Sequence, residues 1–164
     1  MKVSEAIAMI RDRVNDPGER VFTDAELLRY INAGIVTVGN QMIVAGNPWC
    51  IKKITLAEDV AADIPSDFHS LLPGQPCSMS GEELLLLSDE ESVDIRYFSV
   101  PSPLSTAGGA DPDIPFPYPY STNVVNVAFE MAAMRTGHDV SQERQFHLVS
   151  SGIGGAPGVE KGQP

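Results

Sequence analysis

The sequence predicts an α+β fold: a helical core of two N-terminal and two C-terminal helices, interrupted by a small antiparallel β insertion. Three observations lead there. Apolar residues recur at three- and four-residue steps towards both ends of the chain, the period of a helix. Between them, residues 49–56 and 91–100 are rich in β-branched and aromatic side chains, and Val93, Ile95 and Tyr97 alternate with Asp94 and Arg96 as in a half-buried strand. Residues 101–120 hold too many prolines for a helix or a central strand. A chain of 164 residues suits one domain and can bury a core without staples. Its expected parts are N-terminal helices (1–48), a β insertion (49–100), a long Pro/aromatic loop (101–120), C-terminal helices (121–150) and an extended C-terminal tail (151–164).

The first helix is expected over residues 3–15. Val3, Ile7, Ile10 and Val14 form one stripe, Ser4 is the candidate N-cap, and Asn15-Asp16-Pro17-Gly18 stops it. The second helix opens in the stretch RVFTDAELLRYINAG, residues 20–34. Thr23 and Glu26 have the spacing of a capping box, in which each side chain satisfies an amide of the other's turn. Phe22 before the cap and Leu27 after it are placed to form a hydrophobic staple. Asp24 and Glu26 also suit the positive start of a helix. Leu27, Ile31, Ile35, Val38 and Met42 line one face, and the helix is expected to end near Ala45, before Gly46-Asn47-Pro48. Gly34 and Gly39 interrupt it, each costing up to about 1 kcal/mol relative to Ala. Small residues there are expected to admit close packing by another helix.

From Trp49 onward the pattern predicts two strands, 49–56 and 57–65, around a turn near Glu58 and Asp59. A second pair, 82–87 and 91–100, is expected to be joined by Ser88-Asp89-Glu90. The piece between reads as a proline-broken connector with a short turn around Phe68 and Leu71. After the proline-rich loop a helix is expected over 121–136, capped by Ser121 or Thr122 and striped by Val125, Phe129 and Ala132. Gly137-His138-Asp139 breaks it. A last helix, 140–150, carries Val140, Phe146 and Val149, and the glycine-rich remainder is a flexible tail by composition.

The formal net charge is −11 and is unevenly spread. Residues 58–139 hold fourteen acids against two bases, Arg96 and Arg135, whereas residues 1–57 hold seven bases against six acids. Such a middle repels phosphate and argues against tight nucleic-acid binding. It still suits a wall past which DNA slides without sticking. Cys50 and Cys77 are too few for a disulfide framework and read as free thiols in a reducing cytoplasm. No apolar run reaches membrane-spanning length and the start lacks a signal-peptide pattern, so neither a membrane nor secretion is expected.

No catalytic residue, metal or cofactor is expected. His69, His138 and His147 are scattered, and Cys50, His69 and Cys77 match no common zinc spacing. Asp89, Glu90, Glu91 and Asp94 lack the ligand spacing of a calcium loop and read as a solvated turn. There is no nucleophile elbow and no phosphate-cradling glycine loop. Lys52 and Lys53 read as protection for a strand edge. The strongest binding element is the loop carrying Phe116, Tyr118 and Tyr120 beside Pro115, Pro117 and Pro119. Two readings of it stand open. It covers the chain's own core, or it is an arm that docks on a neighbouring chain, its stiff backbone leaving little entropy to lose.

Phe22, Thr23, Asp24, Glu26, Leu27, Leu28, Ile31, Asn32 and Gly34 together resemble the W/F-T-D-x-E-L-L-x-x-I/L-N-x-G helix of the head-to-tail adaptor (connector) proteins of tailed bacteriophages. Ile64, Pro65, Asp67 and Phe68 are similar to that family's L-P-x-D-F segment, with isoleucine for the usual leucine. The resemblance spans most of residues 3–150; the aromatic-proline loop and the glycine-rich tail lie outside it. It implies a structural protein of the virion neck, not an enzyme, assembled in the host cytoplasm. Identical subunits would form a ring, commonly a dodecamer, beneath the portal protein. That ring would join the capsid to the tail, meet a nozzle or tail-terminator protein, and surround a channel through which DNA passes without specific binding. The helices would pack side by side round the ring, with the β insertion facing the tail. Family members often grip the portal with a C-terminal tail, which here makes Ile153, Gly154, Gly155, Pro157 and Val159 the candidate portal contacts. The alternatives are a tail-side completion or terminator protein, or a small virion-associated hydrolase using the acidic middle.

Overall fold

The computed structural model describes residues 1–137 and shows an α+β chain, with three α-helices and two small antiparallel sheets among them. These residues fall into two compact units. One comprises Met1–Gly34 together with the described residues from Pro117 on; the other is Ile35–Phe116.

The first unit is helical. Its α1 (Val3–Arg13) packs on α3 (Tyr120–Arg135), and α2 (Asp24–Val44) begins within it. Val3, Ala6 and Ile10 of α1, Leu27 and Ile31 of α2, and Val124, Val125, Ala128, Phe129, Ala132 and Ala133 of α3 are all buried. The stripes of α2 and α3 are those read from the spacing; in α1 the buried face runs through Val3, Ala6 and Ile10, and Ile7 and Val14 are only half-buried. The caps differ from expectation. Lys2, not Ser4, precedes α1, and its N–H donates to Glu5 Oε2 at 2.9 Å. A lysine side chain has no acceptor to return, so this is only half of a capping box. At its other end α1 stops at Arg13, because Asn15 turns into the left-handed region (φ 55°). Neither Ser121 nor Thr122 caps α3. The helix starts one residue earlier, after Pro119, and Ser121 is buried. Proline carbonyls take the first amides instead: Ser121 N–H donates to Pro117 O at 3.2 Å, and Thr122 N–H to Pro119 O at 3.0 Å.

Gly34 is where α3 comes close to α2. A Cβ there would lie 2.8 Å from the Val124 carbonyl oxygen and 3.2 Å from Val124 Cγ1. Gly39 is different. A Cβ there would meet Val100 Cγ1 at 3.5 Å and Phe116 Cζ at 3.6 Å, ordinary contacts with loop residues and not with a helix. The close-packing expectation therefore holds at Gly34 and is corrected at Gly39. The expected fourth helix (140–150) and the tail lie outside the described residues, which contain three helices.

The second unit carries the strands. A 3₁₀ turn (Pro48–Cys50) leads into β1 (Ile51–Ala57) and then β2 (Ala62–Asp63). After these come β3 (Phe68–Leu71), β4 (Cys77–Ser80), β5 (Glu83–Leu86) and β6 (Ser92–Ser99). They form two three-stranded sheets in the orders β1-β6-β3 and β2-β5-β4, every pairing antiparallel. Neither expected hairpin forms. β1 lies along β6 over its whole length, from Ile51 opposite Phe98 to Ala57 opposite Ser92. β5 pairs with β2 and β4, not with β6. The turn at Asp59 exists (φ 55°), but it hands the chain from one sheet to the other.

Burial explains the wiring. Leu56 of β1, Cys77 of β4, Leu84 of β5 and Ile95 of β6 meet in one apolar cluster, flanked by Ile54, Ala62, Ile64, Leu71, Leu86 and Val93. Each sheet turns one face inward, so the register that buries these side chains wins over pairing with the nearest neighbour in sequence. Two further expectations are corrected here. Phe68–Leu71 is a strand, not a turn, and Trp49 lies in the 3₁₀ turn, 63% exposed, not in a strand.

Candidate functional site

The start of α2 is built as its sequence implies. Thr23 N–H donates to Glu26 Oε2 at 3.0 Å, and Glu26 N–H donates back to Thr23 Oγ1 at 3.3 Å. The capping box is thus closed in both directions. Phe22 and Leu27, the staple pair, are both fully buried. The Phe22 ring also meets Tyr30 edge-on, with centroids 6.3 Å apart. From α3, Arg135 ion-pairs with Glu26 and places its guanidinium 5.4 Å from the Phe22 ring centroid. The Thr23 N–H, aided by Arg135, draws the Glu26 carboxyl down to about 2.

Beneath this cap lies a polar centre that the sequence did not reveal. Arg11 of α1 is buried. Its Nη1 donates to Asp16 Oδ2 at 3.2 Å and to Phe22 O at 3.0 Å, and its Nη2 to Asp24 Oδ1 at 2.6 Å. Asp16 in turn accepts from three successive backbone amides, those of Arg20, Val21 and Phe22. Burial pushes its pKa up, but those amides and Arg11 outweigh it, so the carboxyl titrates below its ordinary range. Two faint signals existed. An aspartate in a Pro-Gly turn tends to gather backbone amides, and Arg11 stands four residues after Ile7, on the edge of an otherwise apolar stripe.

The aromatic residues of the proline-rich loop do not form one exposed set. Phe116 is 5% exposed and sits near Gly39, so it belongs to the core of the second unit. Of the two readings open for the loop, Phe116 fits the first: it covers the chain's own core. Tyr118 is 81% exposed. Tyr120 is half-buried and is the first residue of α3. The candidate portal contacts Ile153, Gly154, Gly155, Pro157 and Val159 lie outside the described residues.

Four charged groups of the β unit, Lys52, Lys53, Asp67 and Asp94, are tied into its sheets. Lys52 ion-pairs with Asp67, whose other oxygen accepts from the Tyr97 hydroxyl at 3.2 Å. Phe68 stacks on Tyr97 with centroids 5.5 Å apart. Asp67 and Phe68 thus fasten the start of β3 to β1 and β6. Lys53 pairs with Asp94 at 2.8 Å, and Thr55 Oγ1 donates to the same carboxylate at 2.7 Å. Asp94 therefore belongs to β6, not to the acidic turn, and the Lys53 and Thr55 hydrogen bonds hold its pKa low. The Asp67 hydrogen bond raises that of Lys52. β1 is an edge strand, as the lysine pair suggested.

Cys50 and Cys77 are buried free thiols whose pKa values burial pushes up, which makes them poor nucleophiles. Among the described residues no three His, Cys, Asp or Glu side chains come together as a metal-ion set. Nor is any described helix long and apolar enough to cross a membrane. What the arrangement can do is hold shape: it fixes where α2 begins and leaves Tyr118 presented. No family model, curated protein or solved structure matches the chain.

Proposed function

We propose that this chain is a structural protein of a phage neck, a head-to-tail adaptor that rings the DNA channel between portal and tail. The observation that carries the reading is the start of α2. The residues Phe22, Thr23, Glu26 and Leu27, which carry the resemblance, are the ones that form the closed capping box and lie in the buried staple positions. In a ring an angular error repeats at every interface, so a subunit gains from a rigidly set helix start. The acidic middle supports the same reading, since DNA passes such a wall with little adhesion. Exposed Tyr118 beside Pro117 and Pro119 supplies a stiff contact for a neighbouring subunit or partner.

The test is direct. Purified chain mixed with its portal protein is expected to give a ring-on-portal complex in electron microscopy, and native mass spectrometry then counts the subunits. A chain that stays monomeric at every concentration and ignores the portal overturns the proposal. Binding to tail-tube ends in place of the portal would make the chain a tail-side completion protein.

A further inference from the structure

We infer that residues 15–22 form a strap latched by the Asp16 carboxylate, and that this latch can open and free the strap while the helices, with the Thr23–Glu26 cap of α2, stay formed. The inference stands on the strap's own bonds and not on the ring reading.

The grip is polar and centred on one group. Asp16 Oδ1 accepts from Arg20 N–H at 2.8 Å and Val21 N–H at 3.2 Å; Oδ2 accepts from Phe22 N–H at 3.0 Å and Arg11 Nη1 at 3.2 Å. The side chain receiving these four donors is only 3% exposed. Everything between is in solvent: Pro17, Gly18, Glu19, Arg20 and Val21 are all exposed. Apart from Phe22 at its end, little apolar burial holds the strap down, and the closure of residues 17–21 depends on the carboxylate.

The strap is also held against its own preference. Asn15 and Glu19 both take φ 55°, in the left-handed region. Asparagine tolerates this; glutamate does so at a cost. The Asp16 bonds offset that strain. Losing them removes the grip and leaves the strain, and both changes favour the open form.

Arg11 couples the strap to the start of α2. The guanidinium that holds Asp16 also holds the Phe22 carbonyl and Asp24, on either side of the Thr23 cap. Phe22 itself is buried at 1%. The charged groups around the latch are Arg11 from α1, Asp24 from α2, and Glu19 and Arg20 on the strap; Arg135 of α3 meets Phe22 and Glu26. Because those donors hold Asp16 below its ordinary range, the latch is closed at neutral pH.

The test is Asp16→Asn in the full chain, which keeps the size and removes the charge. Trypsin cleavage after Arg20 is expected to become about 10- to 100-fold faster, with unchanged helical circular dichroism. Amide exchange should lose protection at Arg20, Val21 and Phe22 while the Glu26 amide, held by Thr23, keeps it. Cleavage and exchange at wild-type rates overturn the inference, as does a loss of protection shared by all helical amides. If the variant does not fold, the wild-type chain is titrated by NMR. The three strap amides should then shift together, with a midpoint below 3.8, before the helical signals are lost. A shift seen only with global unfolding overturns the latch.

Discussion

In the helical unit, Arg11 and Asp16 meet with side chains 7% and 3% exposed; in the β unit, Lys53 and Asp94 meet in the open, 69% and 48% exposed. The first pair sits among backbone amides and carbonyls and organises a turn. The second lies on a solvated sheet face above an apolar cluster that contains no charge. The chemistry of the two pairs is the same, yet their consequences differ. Removing one partner of a buried pair strands the other without water, whereas removing one partner of an exposed pair leaves a solvated ion. The helical unit is therefore vulnerable at a charge, and the β unit at a methyl group.

The contrast can be broken in several places. Arg11→Met should do the most damage, lowering the thermal midpoint by roughly 10 °C, because the Asp16 carboxylate stays buried without its cation. Replacing Asp16 as well should recover part of that loss; a double variant no better than the single one would deny the pairing. In the β unit, Leu84→Ala should cost about 3 kcal/mol in urea denaturation, through lost burial and a cavity between the sheets. Thr23→Ala opens one side of the capping box and should cost about 1 kcal/mol.

A pH series sharpens the comparison further. Glu26 titrates near 2 in the folded chain against an ordinary 4.5. A depressed carboxyl stabilises the fold fully above its unfolded value, so this contribution should fade as pH falls from 4.5 towards 2. Glu26→Gln should flatten the wild-type stability curve over that window; an unchanged slope would assign the acid sensitivity elsewhere. Smallest of all, Lys53→Ala should leave the urea midpoint within error of wild type, since its pair is exposed.

The same division governs how much the residues disclose by themselves. The stripe of α2, its capping box and the Val125–Phe129–Ala132 face of α3 are local, periodic signals, and they appear as read. The caps of α1 and α3 depart from the reading because a backbone amide takes whichever acceptor geometry offers, and two proline carbonyls serve as well as a hydroxyl. Strand pairing departs from it for a deeper reason. Leu56, Leu84 and Ile95 choose partners by the face they bury, and alternation within one strand does not say which other strand shares its core. Of the candidate site, the box was legible and the Arg11–Asp16 centre was not. A buried charge network is specified by three-dimensional proximity, and only its turn residues leave a trace. Phe116 reads as a docking aromatic because composition cannot tell an exposed ring from a buried one.

The pairing of β1 with β6 has a consequence in time. Lys53 finds Asp94 across 41 positions of chain. At a synthesis rate of about 5–20 residues per second, β1 leaves the ribosome roughly 2–8 s before its partner. For that interval a strand of Ile51, Ile54, Thr55 and Leu56 waits with no ladder to join. Lys52 and Lys53 interrupt it with two positive charges, the kind of break that keeps an unpaired strand from adhering to its neighbours on a crowded polysome. The same lysines that later pair with Asp67 and Asp94 thus begin as the strand's guard during translation.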